Sequence, residues 1–427
     1  MTQATENDTM STTKCVKHDT ETSSKPSMFD TFARWLAIRL LQRLEIGRLV
    51  VVDGDGSRLQ FGDPSASLQA QILVHHSQAW SGLVSGGTVG AAEGYMNGHW
   101  SSPDLTAVVR LFVRNQAMMQ RAEGGLSRIR QRLNRTRHNR NANSRPGSRR
   151  NIAAHYDLGA GLFSRFLDPS MMYSSAIYPR PDSTLEEAAL YKLQRICDLL
   201  ELSPDDHLLE IGTGWGGLAV YAAHHSGCRV TTTTISEDQY RYAKQRVEMA
   251  GLSHKIEVLR QDYRDLTGQF DKLVSVEMIE AVGAEFFPAY FRQLDALLKP
   301  NGLCLIQAIT IDDRLYDNAR TSVDFIQRYI FPGGCLPAHT PLLSGLRDHS
   351  RLSAIYLQDF GAHYARTLRD WRTRFLANWD SIAALGYDRR FKRMWEYYLS
   401  YCEGGFAERS IGVSHLLLAG PERRPAC

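Results

Sequence analysis

Short apolar runs alternate with amphipathic helical segments through the second half of the chain, from about residue 151 to residue 310. Alternation of this kind predicts an α/β domain whose mostly parallel sheet is covered by helices on both faces. Two further apolar runs bracket a helical stretch that is dense in aromatic residues. The predicted strands span 206–211, 227–234, 255–260, 270–277, 302–310, 354–359 and 412–418.

A different pattern precedes this domain. Residues 1–26 are rich in Thr, Ser and charged residues and have almost nothing to bury, which predicts a disordered tail. Between Met28 and Leu44 the spacing of apolar residues predicts an amphipathic helix. We expect this helix to pack on its own domain; the alternative is a helix that lies on a membrane surface. Its apolar positions are Phe32, Trp35, Leu36, Leu40, Leu41 and Leu44.

The remaining segments complete the predicted domain organisation. GRLVVVDGDGSRLQF contains two β runs joined by an Asp-Gly pair, which predicts a hairpin within an amino-terminal α+β domain, residues 27–121. In the same domain, GTVGAAEGYMNGHW is rich in turn-forming residues and ends in aromatics that we expect to be exposed. A linker rich in Arg, Asn and Ser, residues 122–150, leads to the second domain, residues 151–427. Residues 311–365 interrupt the alternation, and we expect an insertion over the carboxyl edge of the sheet.

The charge of the protein is concentrated in the linker. The 427 residues carry a formal net charge of +4, yet nine arginines and no lysine or acidic residue lie between positions 124 and 156, so the rest carries −5. These arginines lie between residues 128 and 150. Such a density of arginines indicates either a solvated linker or contact with a polyanion. Anionic lipid is favoured over nucleic acid because no aromatic residues are interleaved for base stacking.

Composition also narrows the cellular setting. No run approaches the ~20 apolar residues of a membrane-spanning helix, and the first 28 residues lack the apolar core of a signal peptide. We therefore expect a cytoplasmic protein whose seven cysteines are reduced. Because no two of them form a CxxC pair, we expect no metal site.

The segment with the clearest chemistry is HLLEIGTGWGG, residues 207–217, a buried strand that runs into a glycine-rich turn and a helix. The glycines at 212, 214 and 216 allow close approach of a ligand, and the start of the helix offers free N–H groups. The acidic residue that a dinucleotide site carries ~20 residues later is absent. No Lys or Arg lies near the turn to bind a pyrophosphate.

Polar residues also end the next two predicted strands. Thr234 and Gln239 follow the second strand, and Asp262 and Tyr263 follow the third. The Asp262 carboxylate can accept a hydrogen bond from an adenine amino group. With Glu210 before the turn, this set suits S-adenosylmethionine better than a phosphate-bearing cofactor. The alternative is a tight turn that binds no ligand.

Five longer motifs make the pattern specific. They begin at residues 151, 166, 277, 329 and 395 and read NIAAHYDLG, FLDPSMMYSSAI, EMIEAVG, YIFPGGCLP and WEYYLSYCEGGF. In this order, over about residues 85–420, the chain resembles the cyclopropane-fatty-acid synthase family, which includes mycolic acid cyclopropane synthases and related lipid methyltransferases. The resemblance implies a Rossmann-like S-adenosylmethionine methyltransferase fold, with a seven-stranded, mostly parallel sheet beside a smaller amino-terminal α+β domain.

The resemblance also implies a reaction. Enzymes of this family transfer a methyl group from S-adenosylmethionine to a cis double bond in a phospholipid acyl chain. The carbocation that forms must be kept from water, ideally among aromatic faces. A base then removes a proton so that the ring closes.

The resemblance also implies which residues form the site, because residues with known roles in the family have matching positions in this sequence. The implied cofactor site adds Tyr173 and Ser174 to the turn and strand-end residues, so that it comprises Tyr173, Ser174, Glu210, Gly212, Gly214, Gly216, Thr234, Gln239, Asp262 and Tyr263. The base in family members is a bicarbonate ion, and the positions that match its ligands are Ser175, Glu280, Gln307, Ile309 and Tyr364. Two of these depart from the family pattern: Ser175 replaces Cys and Gln307 replaces His. Both side chains can still donate hydrogen bonds to an anion. Each polar residue also has a structural alternative as a satisfied core group.

We therefore expect cyclopropanation of an unsaturated phospholipid. Two alternatives stay open: C-methylation of a lipid to a methyl-branched or methylene product, and methylation of a small molecule on the same fold. The resemblance further implies a homodimer, peripheral at the inner face of the membrane, whose amino-terminal domain engages lipid. We expect no nucleic-acid partner.

Overall fold

The computed structural model describes residues 27–116, 118 and 158–424. The predicted tail, residues 1–26, and the predicted linker with its nine arginines, residues 122–150, lie outside the described residues. None of the described helices combines the length and the apolar composition that a bilayer span requires.

The described α-helices are α1 (Met28–Leu41), α2 (Gln78–Met96), α3 (Leu105–Arg114), α4 (Gly159–Phe163), α5 (Leu185–Leu199), α6 (Gly217–His225), α7 (Glu237–Met249), α8 (Phe287–Leu297), α9 (Asp313–Thr321), α10 (His339–His349), α11 (Gly361–Ala377), α12 (Trp379–Ala383) and α13 (Arg389–Ala407).

The described strands form two sheets, of four and of seven strands. Their bounds agree with the predicted strands to within a few residues. The strands are β1 (Arg48–Val52), β2 (Arg58–Gly62), β3 (Gln69–Val74), β4 (Trp100–Ser101), β5 (His207–Ile211), β6 (Arg229–Thr233), β7 (Ile256–Leu259), β8 (Phe270–Val276), β9 (Leu298–Ile311), β10 (Ser353–Asp359) and β11 (Ile411–Ala419).

The larger sheet has the strand order β10-β11-β9-β8-β5-β6-β7. Strands β7, β6, β5, β8 and β9 are parallel. Strand β11 runs in the opposite direction between β9 and the edge strand β10, and it pairs antiparallel with both. The chain leaves β5 toward β6 on one side and continues through β8 on the other. Ligands of open α/β sheets bind at the carboxyl ends of the strands beside such a reversal. The predicted seven-stranded, mostly parallel Rossmann-like sheet is confirmed.

The smaller sheet, with the order β2-β1-β3-β4, belongs to the amino-terminal region. Strands β1 and β2 pair antiparallel on either side of the Asp-Gly turn, which confirms the predicted hairpin. Helices α1, α2 and α3 accompany the sheet, so the region has the predicted α+β composition.

Most of the glycine-rich segment GTVGAAEGYMNGHW forms a helix, and only Asn97 and Gly98 form a turn, so this prediction is wrong for most of its length. It supplies the second half of α2, which is kinked at Gly87 (φ 55°). A Cβ on Gly90 would lie 1.9 Å from the Gly82 carbonyl oxygen, so the glycines allow the two halves of the helix to touch. Tyr95 and Trp100, which we expected to be exposed, are buried.

Helix α1 forms as predicted but turns a different face toward its domain. Ala33, Ala37 and Leu41 are its buried apolar residues and face α2. Phe32 and Trp35 remain 55% and 49% exposed. The expectation that this apolar stripe packs on the domain is therefore wrong for its amino-terminal half. Small alanines lie at the contact instead, and they allow the two helices to approach closely.

The two regions meet where α3 packs along α13. A Cβ on Gly404 of α13 would lie 2.6 Å from Val109 Cγ1 of α3, so the helices are in direct contact there. Beside this contact, Glu408 accepts hydrogen bonds from both Arg110 and Arg114 at 2.6 Å. This packing fixes the amino-terminal region against the second domain.

The predicted insertion, residues 311–365, has two parts in the structure. Helix α9 and a π-helical turn, Ile326–Ile330, lie near the carboxyl edge of the sheet, and Leu315 and Ile326 line a cavity there. Helix α10 packs on α8, and β10 extends the sheet beside β11.

Candidate active site

The glycine-rich turn forms the floor of the candidate cofactor site. Gly212 and Gly214 have φ values of 102° and 52°, a region that residues with a side chain rarely adopt. The amides of Gly212 and Thr213 both donate to the Thr233 carbonyl at 3.0 Å, which fastens the turn to the end of β6. Helix α6 begins directly afterwards at Gly217. The turn therefore lies beside the reversal of strand order, where a ligand is expected.

Two buried ionisable groups lie behind the turn. Glu210, at the end of β5, accepts a hydrogen bond from the Thr232 hydroxyl at 2.6 Å, and burial raises the pKa of its carboxyl to about 8. Lys192, on α5, donates to the Ser174 hydroxyl at 2.8 Å. Burial lowers the pKa of Lys192 to about 8, although the charges of Glu277, Asp168 and Glu210 oppose that shift. The sequence did not single out Lys192, because on α5 it has the spacing of an ordinary helix residue.

Hydrogen bonds between neighbouring side chains fix the orientation of the polar residues after β6 and β7. The Thr234 hydroxyl donates to Gln239 Oε1 at 2.9 Å, and both residues are buried. Asp262 starts a short 3-10 turn and holds Arg264 through both carboxylate oxygens, at 2.8 and 2.7 Å. Tyr263 packs edge to face against Tyr290. The expected acceptor at Asp262 is thus already bound to Arg264, and further donors to it must use its remaining lone pairs.

Tyr173 closes the other side of the cofactor region. Its hydroxyl lies 2.8 Å from that of Tyr398, and its ring stacks on Trp371 with centroids 5.3 Å apart. Tyr398 comes from α13, so the sequence separation of this pair is 225 residues. The contact joins the YSSA motif to the aromatic motif that begins at Trp395.

S-adenosylmethionine fits the residues present. One cavity of about 670 Å³ is lined by nine of the ten predicted cofactor residues, Gly216 being the exception. Gly216 directly precedes α6 and has φ 80°, so it shapes the turn instead. A pocket with a glycine floor, buried polar groups and no phosphate-binding Lys or Arg on the turn is suited to a nucleoside that carries no phosphate.

A half-buried carboxylate that we did not predict lies among the expected bicarbonate ligands. Glu277 Oε1 accepts hydrogen bonds from the Ser175 amide at 2.9 Å and from Gln307 Nε2 at 2.8 Å. Glu277 Oε2 accepts from the Tyr364 hydroxyl at 2.7 Å. Three of the five predicted positions therefore converge on one carboxylate of the protein. Glu277 has φ 48°, an unusual conformation for a glutamate that aims its side chain into this cluster.

The orientation of Gln307 is fixed from the neighbouring strand. His415 on β11 faces Gln307 on β9, and His415 Nε2 lies 2.9 Å from Gln307 Oε1. Burial lowers the pKa of His415 to about 3, so the ring is neutral and can donate its Nε2 proton to that oxygen. The amide NH₂ of Gln307 is then directed at Glu277. His415 could have been found only from the strand register.

Glu280 and Ile309 form a second contact beside this cluster. The Ile309 amide donates to Glu280 Oε1, whereas Glu280 Oε2 has no hydrogen-bond partner among the described residues. Burial and the negative charge of Glu277 raise the pKa of Glu280 to about 8. Burial also raises the pKa of Glu277, but the hydrogen bonds from Ser175, Tyr364 and Gln307 and the charge of Lys192 oppose this shift. Glu277 is therefore the better stabilised anion of the pair.

Bicarbonate does not fit this arrangement. The Ser175 amide, the Gln307 side chain and the Tyr364 hydroxyl already donate to Glu277. The Ser175 hydroxyl, which we expected to be able to donate to an anion, donates to the Ala176 carbonyl at 3.0 Å instead. A further anion would also lie next to the Glu277 carboxylate, and repulsion between like charges opposes its binding.

Comparisons with known proteins agree with the fold. Residues 143–416 match the family model of mycolic acid cyclopropane synthetase. The chain is 38% identical to tuberculostearic acid methyltransferase UfaA1 of Mycobacterium tuberculosis, over 94% of this chain and 99% of that protein. It is 39% identical to the cyclopropane-fatty-acyl-phospholipid synthase of Escherichia coli strain K12, over 81% of this chain and 87% of that one.

A solved structure with a bound ligand supports the predicted class of cofactor. Mycolic acid cyclopropane synthase CmaA1, in complex with SAH and CTAB, superposes with a TM-score of 0.60 and 28% identity, over 64% of this chain and 98% of that one. The family model matches more than half of the chain, and a relative matches nearly all of it. The protein therefore belongs to the mycolic acid cyclopropane synthetase family of S-adenosylmethionine-dependent lipid methyltransferases.

Proposed function

We propose that the protein transfers a methyl group from S-adenosylmethionine to a carbon of a cis double bond in the acyl chain of a phospholipid. One observation supports this substrate class above all: the cavity does not end at the cofactor residues. It continues from Gly212 and Asp262 past Glu280 and Tyr364, and it reaches Leu83 and Phe112 of the amino-terminal region.

The shape and lining of this cavity suit a long apolar chain. Its amino-terminal part is lined by side chains such as Ile72, Trp80, Leu83, Val108 and Phe112. A small soluble substrate needs no such extension, whereas an acyl chain can lie along it and be removed from water at about 25 cal/mol per Å² of apolar surface. This extension favours a lipid over the small-molecule alternative.

Different residues of the chain position the substrate, stabilise positive charge and accept a proton. When bound, S-adenosylmethionine supplies an electrophilic methyl group. The cavity walls hold the double bond in line with that group and exclude water, which positions a weak nucleophile. Aromatic rings from Tyr364, Tyr398 and Phe406 line the same space, and their faces can stabilise positive charge by ~0.5–2 kcal/mol each. A carboxylate then accepts a proton from the alkylated chain.

The position of the carbocation when the proton is lost decides the product. Loss from the new methyl group closes a cyclopropane ring, which is the product that we propose first and the one named for the E. coli relative. If a hydride first moves from the methylated carbon to the cationic carbon, loss of a proton from the same methyl group gives a methylene product instead. The similarity to a tuberculostearic acid methyltransferase over 94% of the chain favours this branched product as the second candidate.

Incubation of the purified protein with S-adenosylmethionine and vesicles of unsaturated phospholipid tests the proposal. We expect an acyl chain that is heavier by one CH₂ group, with release of S-adenosylhomocysteine. Catalytic hydrogenation of the product separates the two candidates, because a methylene chain takes up hydrogen more readily than a cyclopropane does. Saturated phospholipid is the matched control. Methylation of both lipids, or of neither, would refute the proposed function.

A further inference from the structure

We infer that the carboxylate of Glu277 is the proton-accepting group of the reaction, in the place that a bound bicarbonate would take. The inference rests on the proposed function, because it names the base of that reaction. It starts from the three hydrogen bonds that bring Ser175, Gln307 and Tyr364 to Glu277.

The geometry gives Glu277 what a base in this position needs. Its oxygens are held by donors from three distant segments, so the carboxylate is fixed relative to the cavity that it lines. Oε1 accepts two of the hydrogen bonds and Oε2 accepts one, which leaves a lone pair on Oε2. The ammonium of Lys192 favours the ionised form of Glu277. The negative charge of the Glu277 carboxylate in turn stabilises a cation on the substrate.

The proton transfer balances without any further reactant. The π electrons of the double bond form the new carbon–carbon bond to the methyl group, the carbon–sulfur bond breaks, and a carbocation remains on the chain. A C–H bond then breaks, and its proton goes to Glu277 Oε2. Its electron pair closes the ring, or forms the new double bond when a hydride shift has first moved the cation to the methylated carbon. The proton leaves for solvent after the product departs.

The backbone at position 277 offers a direct test. Because Glu277 has φ 48°, glycine fits there without strain, and Glu277→Gly opens a space lined by the same donors. Glu201 also has positive φ (51°) but lies on the surface, so Glu201→Gly is a matched control for the backbone change.

We expect the wild-type rate in bicarbonate-free buffer to be unchanged when bicarbonate is added. Glu277→Gly should lose about 10²-fold or more in rate, the usual value of a positioned base, and should regain part of it with bicarbonate. Glu201→Gly should behave as wild type. A wild-type enzyme that requires bicarbonate, or a Glu277→Gly enzyme that is fully active without it, would overturn the inference.

A binding measurement separates this inference from the proposed function. In calorimetric titrations with bicarbonate, we expect binding to Glu277→Gly and none to wild type, whether or not either protein methylates lipid. Binding of bicarbonate to the wild-type site would show that Glu277 does not occupy it. Equal affinity for S-adenosylmethionine in both proteins confirms that the variant is folded.

A separate observation, on the surface, concerns α1. Its outward face presents Met28, Phe29, Phe32, Trp35 and Leu36, which are between 40% and 92% exposed. The ring of Phe32 stacks on that of Trp35 at 5.9 Å, so the patch is continuous at its centre. Contiguous apolar surface of this kind marks a binding surface.

We propose that this face of α1 inserts into the surface of a membrane with anionic headgroups. The charge next to the patch favours this occupant over a second copy of the chain. Arg39 and Arg43 lie on the same side one and two turns further along, and both are exposed. The Arg39 guanidinium also stacks over the Trp35 ring at 4.6 Å. Apolar and aromatic residues followed by arginines are typical of helices that lie in a lipid interface.

Sedimentation with vesicles tests this surface. We expect binding to phosphatidylglycerol vesicles that exceeds binding to phosphatidylcholine vesicles and falls with salt. Replacing both Phe32 and Trp35 by Ser should weaken it at least about tenfold, because two aromatic side chains lose their apolar burial. Ile355, which is 55% exposed on β10, provides the control Ile355→Ser. Unchanged vesicle binding by the double variant would refute the proposal. Light scattering tests the alternative occupant: a wild-type dimer that the double variant no longer forms would show that the surface binds a second copy of the chain, and this would also refute the proposal.

Discussion

Glu277 and Glu280 lie three residues apart, yet the protein stabilises them in different protonation states. Glu277 receives hydrogen bonds from three residues, whereas Glu280 receives one from the Ile309 amide and has an oxygen with no partner among the described residues. Desolvation disfavours the charge on both, and their mutual repulsion makes a second charge more costly than the first. One negative charge in the pair, on Glu277, is therefore the expected state at neutral pH.

This assignment predicts how stability depends on pH. Glu280 has a pKa of about 8 in the folded protein and an ordinary value of 4.5, so between these pH values the folded state holds a proton that the unfolded chain has released. The free energy of unfolding contributed by Glu280 therefore falls as pH rises through this window. Glu280→Gln cannot ionise and should not show this loss.

Thermal unfolding of the two proteins at a series of pH values measures the effect. We expect the melting temperature of Glu280→Gln to rise relative to wild type between pH 5 and pH 8. Groups that the two proteins share cancel in the difference. Parallel curves across this range would show that Glu280 is already ionised at low pH.

At the scale of elements, glycines on helices determine how closely neighbouring helical segments approach one another. Gly404 lets α13 lie against Val109 of α3, and Gly82 and Gly90 let the halves of α2 touch. These contacts explain why the sequence prediction failed for GTVGAAEGYMNGHW. Glycine permits both turns and close helix packing, and the distinction depends on neighbours that are remote in sequence. Strand β5 and its turn were predictable because one contiguous segment contains all their signals.

The α3–α13 contact can be tested with a single methyl group. Gly404→Ala would place a Cβ 2.6 Å from Val109 Cγ1, and overpacking of this kind costs about 1–3 kcal/mol. We expect a lower free energy of unfolding in urea, and recovery when Val109→Ala is added. Gly161→Ala on α4 is the control, because its Cβ would make only ordinary contacts, the nearest at 3.7 Å. If the two alanine variants are equally stable, the helices are not in tight contact.

At the scale of the whole molecule, the active site is completed by segments that are far apart in sequence. The cofactor residues were predictable because they end consecutive parallel strands, which meet at one edge of a sheet. The role of Glu277 was not, because it depends on a positive φ and on donors at positions 175, 307 and 364. The extension of the cavity into the amino-terminal region likewise follows from how two domains pack, and no local pattern records that.

That extension leads to a prediction about substrate length. Leu83 lines the amino-terminal part of the cavity, so Leu83→Trp should fill space that a long acyl chain occupies and a shorter one does not. We expect kcat/KM to fall about tenfold for a long-chain lipid, equivalent to about 1.4 kcal/mol, with little change for a short-chain lipid that has the same double bond. Leu343→Trp, at an exposed position that does not line the cavity, is the control for the added indole. Competition between two lipids in mixed vesicles measures the ratio directly. An equal fall for both chain lengths would place the acyl chain elsewhere and leave the amino-terminal half of the cavity without a role in substrate selection.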